Sequence, residues 1–379
     1  MYLAEGKRMR IRQITCIFAR ESHEFFRDKI LRVIAFAMPL SIMLIFGYGL
    51  ALDVENVPMA IVDEDHTPAS RELSYKFIEN KQYFDFKGFL PKVSAIEDGI
   101  LSGRLRFGLV IPSRFYERLK EGKSSSVQVL IDGSFPSRAS VAKTYALGII
   151  SNFNLERLGT MVKKLPLRVE TRYWFNENLK QRNITVCGLI PIILSIAPTI
   201  LTSLLVVREK ERGSIYNIWT SSITKAEFLV GKQLFALAIS MVNFFNLFLI
   251  TVLLFRVPFK GNFFLLLFWG VLYILVSTSE GLVISCFVKT QVVAVLGTVV
   301  ITLIPAFLYS GYLVPVSSMS ADAYLFAHAF PPYYGLSVAK GLFLKAAGFR
   351  TIFPKLLVLF LFYVIYFSLA IHFFKKRES

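Results

Sequence analysis

The stretch ITVCGLIPIILSIAPTILTSLLVV, residues Ile184–Val207, decides the fold of this chain. It carries no charged side chain over a length greater than the ~20 residues that a helix needs to cross a hydrocarbon core of about 30 Å. Its two prolines, Pro191 and Pro198, predict kinks rather than an end to the helix. We therefore predict a membrane-spanning helix here.

The composition of the whole chain agrees with this prediction. Of its 379 residues 54% are hydrophobic and 18% are charged, whereas a soluble chain carries about 25% charged residues, so a soluble enzyme is excluded. Five further apolar runs predict a polytopic α-helical membrane protein with six transmembrane helices and an inserted α/β extracytoplasmic domain. The six predicted spans cover residues 33–51, 184–207, 233–255, 261–288, 290–311 and 353–374.

The basic residues predict the orientation. With the N-terminus inside, the short inner segments hold seventeen Lys and Arg residues and the short outer segments hold five. Both termini are therefore expected on the cytoplasmic side. The expected location is a bacterial inner membrane. The net charge of +17 is then mainly an orientation signal, and no nucleic-acid partner is expected. The remaining predicted segments are a cytoplasmic amphipathic helix (1–32), an extracytoplasmic domain (52–183), a cytoplasmic coupling helix (208–232), outer re-entrant or short helices (312–352) and a cytoplasmic tail (375–379).

The predicted extracytoplasmic domain has the alternating pattern of an α/β fold. A short apolar strand, Met59–Val62, precedes an acidic turn and a helix with Thr67 as its N-cap and Pro68 in its first position. Two further strand-like runs, 106–112 and 127–133, flank a helix-like segment. The acidic turn Asp63–His66 is interpreted as a solvated helix start and not as a metal site, because neighbours in one turn rarely converge on an ion.

The most informative polar segment is REKERGSIYNIWTSSITKAEFLVGK, Arg208–Lys232. It begins with mixed charges and continues with apolar residues, Ile215 and Trp219 among them, at helical spacing. A loop that was basic only for orientation would contain neither Glu209 nor Glu211. We therefore predict a helix on the membrane surface that a cytoplasmic protein can bind.

At these residues the chain resembles the permease subunits of ABC-2 type exporters, the six-span form with a large outer domain after the first helix. The family's R-E-x-E-x-G box is matched by Arg208, Glu209, Glu211 and Gly213, and we call the segment Arg208–Gly213 the box. Its G-K ending is matched by Gly231 and Lys232. The resemblance implies coupling of this segment to an ATPase subunit. The residues assigned to coupling are Arg208, Glu209, Glu211, Arg212, Gly213, Ile215 and Trp219.

The resemblance also implies partners and a class of substrate. These are an ABC ATPase subunit, a second permease copy or a paralogue that completes a dimer, a periplasmic membrane-fusion protein, and a drug, lipid or other amphiphile as substrate. The chain has no G-x-x-x-x-G-K-[ST] motif, since Gly122-Lys123-Ser124 is preceded by Glu117 where the first glycine belongs. No cofactor is therefore expected on this chain, and ATP and Mg belong to the partner subunit.

Glu280 is the only carboxylate within a predicted span. With Ser277 and Ser279 beside it, Glu280 could line a polar translocation path or form a structural pair with a cation. At the outer side, the resemblance makes Tyr333 and Tyr334 part of an outer gate, and an interfacial aromatic belt explains such residues equally well. Where the family more often has N-P before this aromatic, the chain has Pro331-Pro332.

Two other functions remain as alternatives. A membrane receptor with an outer sensor domain predicts a cytoplasmic output domain, but the largest inner loop is about 25 residues long. A secondary transporter predicts internal repeats and several charges near the bilayer midplane, but the chain has one such charge and no repeat. The exporter permease is therefore the preferred hypothesis.

Overall fold

The structure is a computed structural model that describes residues 2–49, 56–81, 83–134, 136–161, 181–215 and 223–374. The chain divides into two compact units. One unit comprises residues 1–51 and 173–379 and holds the apolar helices. The other comprises residues 52–172 and holds the sheet.

Six helices among the described residues are long and apolar enough to cross a membrane, as predicted. In chain order, spans 1 to 6 are Lys29–Gly49, Arg182–Glu211, Lys225–Leu254, Phe263–Phe287, Gln291–Leu308 and Phe349–Phe373. Each overlaps one predicted range. The largest difference is at span 3, which begins at Lys225 and not at residue 233. Hydropathy marks only the apolar part of a helix, whereas its hydrogen bonds continue into charged turns.

The predicted amphipathic segment 1–32 is divided at Asp28. The N-terminal helix runs over Tyr2–Arg27, and a new helix begins at Lys29. The Asp28 carboxylate accepts hydrogen bonds from the backbone N–H groups of Ile30 and Leu31, at 3.0 and 3.2 Å. This N-cap satisfies two backbone N–H groups at the start of the new helix.

Span 2 is the centre of the membrane unit. Its apolar window is buried along its whole length, whereas only 17% of the window of span 6 is buried. Span 4 packs closely against it at Gly281, where a Cβ atom would lie 2.4 Å from the backbone oxygen of Thr199. The Thr199 hydroxyl donates to the backbone oxygen of Ser277 at 2.8 Å. Small residues and interhelical hydrogen bonds of this kind are what hold membrane helices together.

Between spans 5 and 6, where outer re-entrant or short helices were predicted for residues 312–352, the chain forms short helices. They are a 3₁₀ turn at Val316–Ser318 and two α-helices, Ala321–His328 and Pro331–Lys345. Pro331 and Pro332 begin the last of these helices and do not interrupt it, since the first turn needs no backbone N–H donor.

The second unit contains a four-stranded sheet in the order β2-β1-β3-β4. The strands are β1 (Val57–Asp63), β2 (Phe84–Phe89), β3 (Phe107–Ile111) and β4 (Gln128–Ile131), and only β4 is antiparallel to its neighbour. Its helices are Pro68–Glu79, Val93–Leu101, Phe115–Lys120 and Pro136–Met161. The α/β prediction is confirmed. β2 and the helix after it were not predicted. The alternation of apolar and polar residues in β2 covers only Phe84–Lys87, and Gly88 ends it where the register with β1 shifts.

The acidic turn of this unit starts a helix. One carboxylate oxygen of Asp63 accepts from the backbone N–H groups of Asp65 and His66, and the other accepts from the Ser70 hydroxyl. Thr67 and Ser70 form the reciprocal hydrogen bonds of a capping box. Within the described residues no group of three or more His, Cys, Asp and Glu residues could hold a metal ion.

Candidate functional site

A buried lysine joins three helices at one end of the membrane unit. The Lys232 side chain, near the start of span 3, has no exposed surface. Its Nζ donates to Oε1 of Glu21 at 2.6 Å, to Oε1 of Glu209 at 2.5 Å and to the backbone oxygen of Leu205 at 3.0 Å. Glu21 belongs to the N-terminal helix and Glu209 to the last turn of span 2. One ammonium group therefore ties the N-terminal helix to two spans.

Arg208 makes a second connection to the same helix. Its guanidinium is also buried, and it forms ion pairs with Glu24 at 2.8 Å and with Asp28 at 3.3 Å. Glu21 lies 3.8 Å away from it. We call Glu21, Glu24, Asp28, Arg208, Glu209 and Lys232 the charge cluster.

The charge cluster is stable only as a whole. Removing an ion from water costs several kcal/mol, and pairing recovers that cost only when the partners stay in place. Burial raises the pKa of Glu21, and the Lys232 ammonium opposes that shift. Loss of Lys232 would leave the buried carboxylates of Glu21 and Glu209 without their nearest cation.

The cluster divides the predicted coupling residues into two groups. Arg208 and Glu209 are buried, at 1% and 2% exposure, so they hold the N-terminal helix and do not present themselves to a partner. Glu211 and Arg212 are exposed. The Glu211 carboxylate accepts from the backbone and side-chain N–H groups of Gln291, at 3.1 and 2.8 Å, and so caps span 5.

The other predicted coupling residues, Gly213, Ile215 and Trp219, come next in the chain. Gly213 has a φ of +72°, a left-handed conformation that suits glycine where the helix ends. Ile215 is buried beside Ile17 and Phe228. Trp219 lies outside the described residues.

The prediction of one coupling helix over 208–232 is corrected by the structure. Arg208–Glu211 is the last turn of span 2, and Lys225–Lys232 forms the first turns of span 3. The capping box of Thr224 and Glu227 starts span 3, and it makes the second helix begin well before the apolar run.

The acidic residues of the N-terminal helix were not predicted as part of the site. Glu21, Glu24 and Asp28 stand at spacings of three and four residues, which places them on one face of the segment. That spacing is a signal in the sequence, but it does not name the partner. Arg20 on the same helix pairs with Glu24, but the buried cations that pair with this face, Arg208 and Lys232, lie on spans 2 and 3, about 180 or more residues away.

A charged groove opens beside the cluster. It encloses about 670 Å³ between the N-terminal helix and the end of span 2. Ten residues line it: Arg20, Glu24, Arg27, Asp28, Lys29, Ile30, Arg208, Glu209, Arg212 and Ser214. Five of these residues are exposed: the basic residues Arg20, Arg27, Lys29 and Arg212, and the apolar Ile30.

The residues predicted for a translocation path lie in span 4. The Ser277 hydroxyl donates to the backbone oxygen of Tyr273 at 3.1 Å, and the Ser279 hydroxyl donates to that of Leu275 at 2.7 Å and accepts from the Gln233 amide. Both serines are buried. Glu280 is partly exposed and has neither a hydrogen bond nor an ion pair among the described residues. One of the two interpretations of Glu280 was a structural pair with a cation. The described residues contain no such pair.

The residues predicted for an outer gate lie on the helix Pro331–Lys345. The rings of Tyr333 and Tyr334 contact each other edge to face, with centroids 5.0 Å apart. The Tyr334 hydroxyl donates to the backbone oxygen of His328 at 3.1 Å. Their position at the end of the spans fits the gate and the aromatic belt alike.

The fold combines five apolar helices packed around a central buried span, a small α/β unit in a separate part of the chain, and a charge cluster at the helix ends. These features define a polytopic membrane protein. The chain belongs to the ABC-2 transporter family, because the model described as ABC-2 family transporter protein matches residues 30–372. The resemblance seen in the box is thereby confirmed.

Three relatives from Escherichia coli (strain K12) are similar along most of their length. The probable multidrug ABC transporter permease YbhS is 28% identical over 337 residues, which cover 88% of this chain and 89% of YbhS. The probable multidrug ABC transporter permease YbhR is 28% identical over 340 residues, with 90% and 92% covered. The inner membrane transport permease YhhJ is 26% identical over 330 residues, with 84% and 85% covered. All three relatives are named as permeases, in keeping with the transporter family to which the chain belongs.

Proposed function

We propose that this chain is the membrane-spanning subunit of an ATP-binding cassette exporter. Two copies, or one copy and a paralogue, form the translocation path at their interface, and a separate ATPase subunit binds ATP and Mg. The end of the bundle that carries the box faces the cytoplasm, in accordance with the basic residues. Family membership and the charge cluster support this proposal.

The charge cluster is the single observation that carries the coupling mechanism. Because Lys232 and Arg208 bind the same face of the N-terminal helix, a displacement of that helix is passed to spans 2 and 3 together. Span 2 is the central helix of the unit, so its movement changes the packing of its neighbours. ATP-driven closure of the ATPase subunits thus reaches the path through Glu21, Glu209 and Lys232.

The groove beside the cluster is the proposed docking surface. Its exposed residues belong both to the N-terminal helix and to the box, so a protein seated there contacts the two elements that the cluster joins. The exposed basic residues favour a partner segment with acidic side chains. Arg212 is the box residue best placed to meet it, since Arg208 and Glu209 are buried.

Arg212→Glu is expected to weaken the complex with the ATPase subunit. We expect the amount of ATPase that co-purifies with the permease, and the hydrolysis stimulated by it, to fall at least threefold, because a basic contact becomes repulsive. The measurement uses the full chain, expressed with its ABC ATPase subunit and purified from membranes. Membrane insertion should be unchanged, since Arg212 is exposed.

Arg350→Glu is the matched control. Arg350 is an exposed arginine in the first turn of span 6, outside the groove. Equal losses in both variants, or no loss in Arg212→Glu, would contradict docking at the groove.

The proposal also covers the substrate and the partner outside the cytoplasmic membrane. The names of two relatives contain the word multidrug, and we propose a drug, lipid or other amphiphile as the substrate of this chain. The α/β unit is proposed to lie outside the cytoplasmic membrane, where a periplasmic membrane-fusion protein is its candidate partner.

A further inference from the structure

A cavity opens at the edge of the sheet where the parallel strands β1 and β2 end. It encloses about 390 Å³, which falls within the ~300–1,000 Å³ typical of small-molecule sites. We call it the sheet-edge cavity. Six residues line it: Asp63, His66, Arg71, Tyr75, Phe89 and Leu90.

The two strands bring these residues together because they run in the same direction. Ile61 of β1 pairs with Phe89 of β2, and the backbone N–H of Leu90 donates to the backbone oxygen of Ile61 at 2.8 Å. The turn after β1 and the end of β2 therefore meet at one edge of the sheet. Arg71 and Tyr75 stand one turn apart on the helix that connects the two strands.

The loops that leave this edge lead to opposite faces of the sheet. The helix after β1 shares a buried cluster with Ile61 through its residues Leu73 and Phe77. The helix after β2 instead places Ile96 in a cluster with Val62, whose side chain points to the other face. Where the loops of two adjacent parallel strands separate in this way, they leave a crevice in which ligands bind.

One wall of the sheet-edge cavity is apolar. Tyr75 is 59% exposed and Phe89 is 56% exposed, and the partly buried Leu90 follows Phe89 in the chain. Two large rings that line one cavity and keep more than half of their surface in water are available to an apolar group. Covering that surface would favour binding.

The charge that the cavity offers to a ligand is positive. The Arg71 side chain is exposed and forms neither an ion pair nor a hydrogen bond within the described part of the chain. Among the six described lining residues only Asp63 is acidic, and its two oxygens already accept hydrogen bonds from the turn and from Ser70. A guanidinium group binds a carboxylate through two parallel hydrogen bonds, and His66 adds a second nitrogen group to the lining.

We propose that the sheet-edge cavity binds a small carboxylate that carries an aromatic group. Arg71 pairs with the carboxylate of the ligand, and Tyr75 and Phe89 contact its ring. The site lies within the α/β unit, so it does not depend on the proposed coupling to an ATPase subunit.

Binding of 4-fluorophenylacetate to the purified full chain in lipid nanodiscs tests the site. The ligand is observed by fluorine NMR, and empty nanodiscs give the background. We expect saturable binding to the wild type and at least about fivefold weaker binding to Arg71→Gln, because the charge-assisted hydrogen bonds are lost. The neutral analogue 4-fluorophenylacetamide should bind equally to both proteins, since it has no charge for Arg71 to pair with.

Arg118→Gln is the matched control for the charge. Arg118 is an exposed arginine on the helix Phe115–Lys120 of the same unit, and it does not line the cavity. This variant should bind the carboxylate like the wild type.

Substitutions of the ring separate the aromatic contribution from the charge. Tyr75→Ala is expected to weaken binding of the carboxylate and of the amide alike, by about threefold to tenfold, because both ligands carry the same ring. Tyr75→Phe should bind both like the wild type. Tyr75 is exposed, so neither change disturbs the core of the unit.

A chemical-modification experiment repeats the test without a variant. Phenylglyoxal modifies exposed arginines, and 4-fluorophenylacetate should slow its reaction with Arg71 but not with Arg118, as read by mass spectrometry. The proposal is overturned if the wild type shows no saturable binding above empty nanodiscs, or if Arg71→Gln binds the carboxylate with the affinity of the wild type. Tighter binding of 4-fluorobenzylammonium than of the carboxylate would assign the cavity to Asp63 and would also overturn it. These measurements use the permease alone, so they are independent of the docking test with Arg212→Glu.

Discussion

Lys232→Met is expected to lower the free energy of unfolding by about 3–5 kcal/mol, the cost typical of removing one partner from a buried ion pair. Methionine fills nearly the same volume but leaves the Oε1 atoms of Glu21 and Glu209 without the donor that now lies 2.6 and 2.5 Å away. The N-terminal helix should then detach from spans 2 and 3. Unfolding of the purified protein by sodium dodecyl sulfate, followed by tryptophan fluorescence, measures the change.

The matched control is Lys225→Met, seven residues earlier on the same helix. Lys225 is partly exposed and lies outside the charge cluster, so we expect a change of less than about 0.5 kcal/mol. Replacing Glu21 by Gln in the Lys232→Met background should recover part of the loss, because one unpaired charge disappears. Equal stability of Lys232→Met and the wild type would refute the role given to the cluster.

The loss in Lys232→Met should also depend on pH. Burial already raises the pKa of Glu21, and without the opposing ammonium it should rise further. If the pKa of a carboxyl group is higher in the folded state than in the unfolded chain, the protein loses stability as the pH rises above the pKa of the unfolded chain. The difference between variant and wild type should therefore be smaller at pH 5 than at pH 8.

Gly281→Ala is expected to destabilise the bundle by about 1–3 kcal/mol or more, the usual cost of overpacking. The added Cβ would lie 2.4 Å from the backbone oxygen of Thr199, and backbone of the central span cannot move aside as a flexible side chain can. Spans 2 and 4 must then separate, which weakens the hydrogen bond from Thr199 to Ser277. The same unfolding measurement applies.

Gly297→Ala provides the control in span 5. Nothing lies within 4 Å of a Cβ atom at Gly297, and alanine favours a helix over glycine by about 1 kcal/mol. This variant should be as stable as the wild type or slightly more stable. A similar loss in both variants would show that the helices do not depend on the close approach at Gly281.

The sequence by itself determined the six spans, the α/β unit and the family. A membrane helix is predicted from the low polarity of one contiguous stretch such as Ile184–Val207. The box is likewise a local pattern. Neither prediction depends on which residues lie nearby in the folded chain. The strand β2 was missed because its alternation covers only Phe84–Lys87 before Gly88 interrupts it.

Only the tertiary structure decided which charges meet. Lys232 and Glu21 are 211 residues apart in the chain, and nothing local to either shows that they share one buried hydrogen bond. Packing of the N-terminal helix against spans 2 and 3 buried Arg208 and Glu209, which the sequence had assigned to a partner, and left Arg212 at the surface. Burial depends on what the rest of the chain places on top of a residue, and that is a property of the fold.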